Sequence, residues 1–372
     1  ILWCRTCPLS KFLNSRTNLA SYRRCNAIPC RFALLLAAFP PSKLQTAIGT
    51  WGAMGGLAAA LGPSLGALLV DAFGWQAVFF INVPVAGIVI IFGPRWVLES
   101  VSDSIPDKVD LISVPLASLG VGIAILAITQ GDKWGWSSLN LILSFAIALL
   151  LVTAFVIRSN RHKAPLFDLD LFKLKTFSVG MIGTVFFMVA FFSWLISLPT
   201  FIQSVWGWSV LKTGFAIAPA PLLTAFVSPP AGRLAERIGN GPILTIGGLL
   251  GATGLTLHLI FTNSEPDYVM GIFIPGILIG FAAGFGFAQL IGAAMRDVPR
   301  DQFGMAGAGR TTIFQLALAL GVALAFTIIG RPNSPEAALD GLQTTWILGI
   351  GCYLVQTLLF AFFGGSDKTL KT

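Results

Sequence analysis

Charge is what this sequence has least of. Of its 372 residues only 11% are charged, while 55% are hydrophobic and the mean hydropathy is +0.82. A water-soluble domain carries roughly 25% charged residues, so a mostly wetted surface is excluded. Histidine is nearly missing as well, with His162 and His258 alone. No Asp or Glu falls in the middle of an apolar run; Asp71 and Asp110 stand at run ends, where a carboxylate is solvated. There is no His/Glu cluster for a metal, no G-x-x-x-x-G-K-[ST] loop for a nucleotide and no nucleophile elbow. An ATP-driven pump and a hydrolase therefore lose their footing, and the expectation is no metal, no cofactor and no enzyme activity. The net charge of +8 would suit nucleic acid only with a basic stripe and base-reading side chains, whereas the cations here lie in short stretches between apolar runs.

Apolar runs of bilayer length are what the chain has instead. They fall at about 46–70, 76–97, 111–130, 138–157, 177–202, 210–230, 241–262, 268–293, 305–329 and 343–364, each close to the ~20 residues a membrane helix needs. None alternates as a barrel strand would. The reading is an all-α integral membrane protein with about ten transmembrane helices.

The segments between runs set an orientation. On one side lie Lys43, Arg95, Lys108, Arg158, Arg161, Lys163, Lys173, Lys175, Arg233, Arg237, Arg296, Arg300, Arg310, Lys368 and Lys371; on the other only Lys133, Lys212 and Arg331. Positive charge marks the cytoplasmic side, so the C-terminus and the 158–175 segment are expected there. Trp134, Trp136, Trp206 and Trp208 cluster on the opposite side, where indoles favour the interface.

Residues 1–32 differ from the rest. Cys4, Cys7, Cys25 and Cys30 have the outline of a zinc site, but nothing resembling a zinc-module core surrounds them. A signal peptide lacks its apolar centre. This stretch reads as foreign to the fold that follows, a truncated or mistranslated start.

The stretch from Gly49 to Pro84 is the most distinctive. Gly55, Ala59, Gly62 and Gly66 share one helix face and offer a smooth surface for a neighbouring backbone. Gly49, Gly62, Pro63 and Gly66 match the antiporter motif of the major facilitator superfamily, with Ala58 and Ala67 replacing two of its glycines. Gly74 and Trp75, then Phe79 to Pro84, continue the likeness, as do Pro165 to Phe172, Leu198-Pro199 with Gln203, Gly232 to Gly239, and Gly304 to Gln315. In this order they make the chain from about Phe32 to Gly365 resemble the fourteen-span drug:proton antiporters of that superfamily.

The resemblance implies two six-helix halves joined by two linker helices. Counted back from the C-terminus, 177–364 becomes the C-terminal half, 98–176 the linker pair with its loop, 33–97 the remnant of the N-terminal half, and 365–372 a cytoplasmic tail. The first spans, which in relatives carry proton-coupling groups, are expected to be absent. The implied function is a secondary-active exporter that exchanges small amphipathic compounds for protons by alternating access. The implied setting is the plasma membrane, as a monomer. A non-transporting fragment, or a multi-span membrane enzyme or receptor, are the alternatives. Gly49, Gly62, Pro63 and Gly66 are then a gating seam, weighed against ordinary small-residue packing. Gly232, Arg233, Glu236, Arg237 and Gly239 form a cytoplasmic charge lock, weighed against a solvated loop. Phe191, Trp194, Gln203, Pro219 and Gln315 are the candidates for a substrate cavity, with Pro219 and Pro221 breaking their helix. His258, alone inside an apolar run, reads first as a packed side chain.

Overall fold

A computed structural model describes residues 72–96, 110, 112–135, 137–162, 169–299, 302–330 and 335–363, with isolated positions between 50 and 70. The described elements are helical, as they must be where a bilayer offers the backbone no water to bond. A short helix α1 (Ala77–Phe80) leads into α2 (Asn82–Trp96). The hairpin α3 (Ser113–Trp134) and α4 (Leu139–Arg161) follows. Then come α5 (Lys175–Ser204), α6 (Val210–Ile217), α7 (Pro219–Ile238), α8 (Asn240–Phe261), α9 (Ile274–Met295), α10 (Phe303–Ile329) and α11 (Pro335–Phe363). Eight helical stretches among the described residues are long and apolar enough to cross a membrane, α6 and α7 counting as one; Ala77–Phe92 is a shorter apolar helix. The first run expected from the sequence lies largely outside the described residues.

Six of these spans, from α5 to α11, pack into one bundle. α5 touches α9, α10 and α11, α8 lies between α9 and α11, and α7 rests on α9. Side chains of Phe187, Phe201, Trp346 and Tyr353 are shut inside it. The α3–α4 hairpin leans on α10 through α3, where Thr327 Oγ1 donates to Ile128 O at 3.1 Å. Within their apolar windows 61% of α5 residues are buried but only 11% of those of α4, so the hairpin is peripheral.

Glycine makes the bundle tight. A Cβ on Gly280 would stand 2.6 Å from the carbonyl oxygen of Ala220, and one on Gly284 2.7 Å from Val227. Gly276, Gly280 and Gly284 thus form one face of α9 against α7. Thr224 and Ser228 cross this seam, donating to the carbonyls of Gly280 (3.0 Å) and Gly284 (3.3 Å). A hydroxyl whose hydrogen bond closes onto the facing backbone ties two helices together where lipid supplies no hydrophobic push.

Several boundaries differ from those read in the sequence, for local reasons. The last span begins at Pro335 rather than near 343, since Pro suits the first helical position and Glu336 sits in the first turn. The span 210–230 continues to Ile238, ending where Gly239 takes φ +83°, a left-handed value that only glycine adopts freely. Arg233, Glu236 and Arg237 therefore lie on the last two turns of α7 and not in a loop.

Candidate functional site

The site is built on α5, whose inward rings meet those of α9 and α10. Phe187 and Phe191 stack at 6.0 Å between centroids, one helical turn apart. Phe287 of α9 meets both edge-on, at 5.2 and 5.1 Å. Phe192 extends the row to Phe314 of α10 at 6.4 Å, and Phe287 reaches the same ring at 6.5 Å. Edge-on contacts of this kind suit the ring quadrupole and hold the rings in place. Below Phe314 by one turn sits Arg310, its guanidinium carbon 5.9 Å from that ring and the residue only 7% exposed. Arg310 was counted among the loop cations on sequence, yet it lies two turns inside α10. The signal was present: position 310 falls within the apolar run 305–329, and an ionisable residue inside a span marks function by default.

Trp194 begins a polar relay on the same helix. Its indole Nε1 donates to His258 Nε2 at 3.1 Å, and His258 Nδ1 stands 2.7 Å from the carbonyl oxygen of Gly271. An indole N–H can only donate, so Nε2 accepts and Nδ1 carries the proton toward Gly271. Thr262 donates to that carbonyl as well, at 3.2 Å. Gly271 lies in the π-helical turn Val269–Phe273 that opens the span of α9. Trp346 joins from α11 through Ser197, at 2.9 Å. The fully buried His258 is thus a satisfied, packed side chain.

The remaining sequence candidates divide. Trp194 and Pro219 come together around a hollow of about 10 Å³ with Leu198, Ile217 and Ile272, space for at most one water. Pro219 and Pro221 interrupt the span between α6 and α7, and the nearby Ala216 carbonyl is taken by Tyr268 Oη at 3.3 Å. Phe191 is buried in the bundle core, while Gln203 and Gln315 are exposed on α5 and α10. Gly232 is buried, and Arg233, Glu236 and Arg237 are exposed. Gly49 and Pro63 lie outside the described residues. Gly62 and Gly66 are helical, and no heavy atom of a described residue lies within 4 Å of where their Cβ would be. Among the described residues no group of three His, Cys, Asp or Glu is placed to hold a metal.

Residues 25–322 match the model of the Major Facilitator Superfamily. The chain belongs to this superfamily. It is 29% identical over 297 residues to the tetracenomycin C resistance and export protein of Streptomyces glaucescens, covering 80% of this chain and 55% of that protein. Identity to the multidrug resistance protein Stp of Mycobacterium tuberculosis (strain ATCC 25618 / H37Rv) is 31% over 301 residues, covering 80% and 54%. With the lincomycin resistance protein LmrB of Bacillus subtilis (strain 168) it is 27% over 353 residues, covering 90% and 73%. The chain spans about half the length of the first two of these relatives. The superfamily transporter FucP, solved in the outward conformation, superposes with a TM-score of 0.41 at 12% identity, over 95% of this chain and 93% of that one. That is too loose to compare helix positions.

Proposed function

We propose that the chain works in secondary-active export of small amphipathic compounds, exchanging them for protons by alternating access. The observation that carries this reading is the ring row of Phe192, Phe287 and Phe314 with Arg310 beneath it, in a superfamily chain whose relatives bear the names of drug resistance and export proteins. Flat apolar rings bind flat apolar or cationic compounds, and a few polar groups set their orientation. On this reading the α5–α11 bundle is the C-terminal half, α3 and α4 are the linker pair, and Gln203 and Gln315 face the substrate path. Arg233, Glu236 and Arg237 act at its cytoplasmic mouth, where their i+3 and i+4 spacing on α7 suits a charge lock. The glycine face at 55–66 is the seam on which the halves rock. The protein then sits in the plasma membrane with a cytoplasmic C-terminus.

Dye efflux from proteoliposomes under an imposed pH gradient tests this. Export driven by the gradient and collapsed by an ionophore supports proton exchange; export indifferent to the gradient rejects it. Phe314→Ala should reduce efflux of apolar dyes more than thermal stability, and equal losses in both would reject Phe314 as a substrate contact.

A further inference from the structure

Four helix ends meet on one face of the bundle: the starts of α5 and α8 and the finishes of α9 and α11. They enclose a cavity of about 420 Å³ whose wall includes Lys175, Thr176, Asn240, Arg296, Phe360 and Phe363. Among the described residues neither α5 nor α8 has a side-chain cap at its start, and the first backbone N–H groups of any helix have no acceptor within it. Helix starts of this length attract anions. The finishes of α9 and α11 point carbonyls at the same region and offset part of that field, which leaves the balance to Lys175 and Arg296. Asp297 stands on the rim, its carboxylate 3.8 Å from Arg296 Nε and its side chain 53% exposed.

A second observation comes from the cavity wall itself. Thr176 Oγ1 and Asn240 Oδ1, both of lining residues, are buried with no hydrogen-bond partner among the described residues. Buried polar atoms are almost always paired, and two unpaired ones in a cavity wall beside two cations have the chemistry of a ligand site.

We propose that this cavity binds a phosphate group, supplied by the headgroup of an anionic phospholipid in the adjoining leaflet. Lys175, Arg296 and the two helix starts take the phosphate oxygens. Thr176 and Asn240 take the polar remainder of the headgroup. Phe362 and Phe363, 77% and 66% exposed at the rim, lie where the acyl chains leave. The site is separate from the ring row and does not depend on the transport reading.

Native mass spectrometry of the full chain in detergent tests the assignment, with phosphatidylglycerol, phosphatidylcholine and inorganic phosphate as probes. One phosphatidylglycerol per chain should be retained, at least fivefold more than phosphatidylcholine. Lys175→Gln with Arg296→Gln should lower that retention at least tenfold, and Asp297→Asn should raise it. Lys212→Gln, beside Trp208 and outside this cavity, should leave it unchanged. Lys175→Arg with Arg296→Lys, which keeps both charges, should retain the lipid and guards against a misfolded double variant. Displacement by millimolar inorganic phosphate, with the same dependence on both cations, would keep the phosphate site but make its source soluble. Equal retention of both lipids, or retention untouched by loss of the two cations, would overturn the proposal.

Discussion

Two glycine-lined helix faces behave differently in this molecule. On α9, Gly276, Gly280 and Gly284 recur every four residues and bring the backbone of α7 within contact distance, with Thr224 and Ser228 closing hydrogen bonds across the gap. Before Asp71, Gly55, Gly62 and Gly66 share one helix face at offsets of 7 and 11 residues, yet no described heavy atom lies within 4 Å of a Cβ built there. Spacing alone makes a helix face smooth; only a partner makes it a seam. In the α5–α11 bundle the partner is in the same unit, and small residues become structural. Around residues 50–70 the face is offered and, among the described residues, nothing is laid on it.

The largest expected effect comes from spoiling the filled seam. Gly280→Leu drives a side chain into the Ala220 carbonyl, backbone against backbone with no rotamer to escape into. Overpacking of this kind costs about 3 kcal/mol, and a thermal melt in detergent should show it as a clear loss. A melt unchanged by Gly280→Leu would mean that α7 and α9 do not pack as described. His258→Ala comes next. It strands the Trp194 N–H, while the Gly271 carbonyl keeps Thr262, so the cost is about 2 kcal/mol from one buried donor left unmade. Trp194→Phe in the same background should cost less than on its own. Strict additivity of the two changes would show that the Trp194–His258 contact contributes nothing.

Much of the fold was legible because membrane helices announce themselves: twenty apolar residues leave the backbone no other way to satisfy its polar groups. The broken span was legible at Pro219, since proline removes a donor wherever it stands. Less could be read at the site. The partner of His258 is Trp194, 64 residues earlier, and no local pattern joins them. Arg310 was hidden by its own charge, which reads as a loop cation when cations are counted by side.

Outside the bundle the α3–α4 hairpin offers an electrostatic test of how peripheral units are held. Asp110, before α3, is shut from solvent and paired with Arg158 near the end of α4, Nε to Oδ1 at 2.9 Å, and with the Ser113 hydroxyl at 2.5 Å. Burial pushes its carboxyl up, but the bonds from Ser113 and Arg158 outweigh this and hold it at about 2, below its ordinary 3.8. A carboxyl with a lowered folded pKa stabilises fully above 3.8 and loses that contribution as pH falls through about 2. Asp110→Asn should therefore lower the melting midpoint modestly at pH 6 and flatten its decline between pH 4 and 2. An unchanged acid slope would mean that the hairpin clasp does not couple to folding.

The smallest expected effect is the sharpest test of the comparison. Gly62→Ala places a methyl group where no described atom lies within 4 Å. Inside a helix the change also trims the conformational freedom of the unfolded chain, so stability should stay level or rise by up to about 1 kcal/mol. The same exchange at Gly280 brings the new methyl to 2.6 Å from the Ala220 oxygen and must cost stability. Opposite signs from one substitution at two matched positions would show that contact, not spacing, separates the two faces. A loss at Gly62 as large as that at Gly280 would instead reveal a helix seated on the 55–66 face, the arrangement that a rocking seam requires.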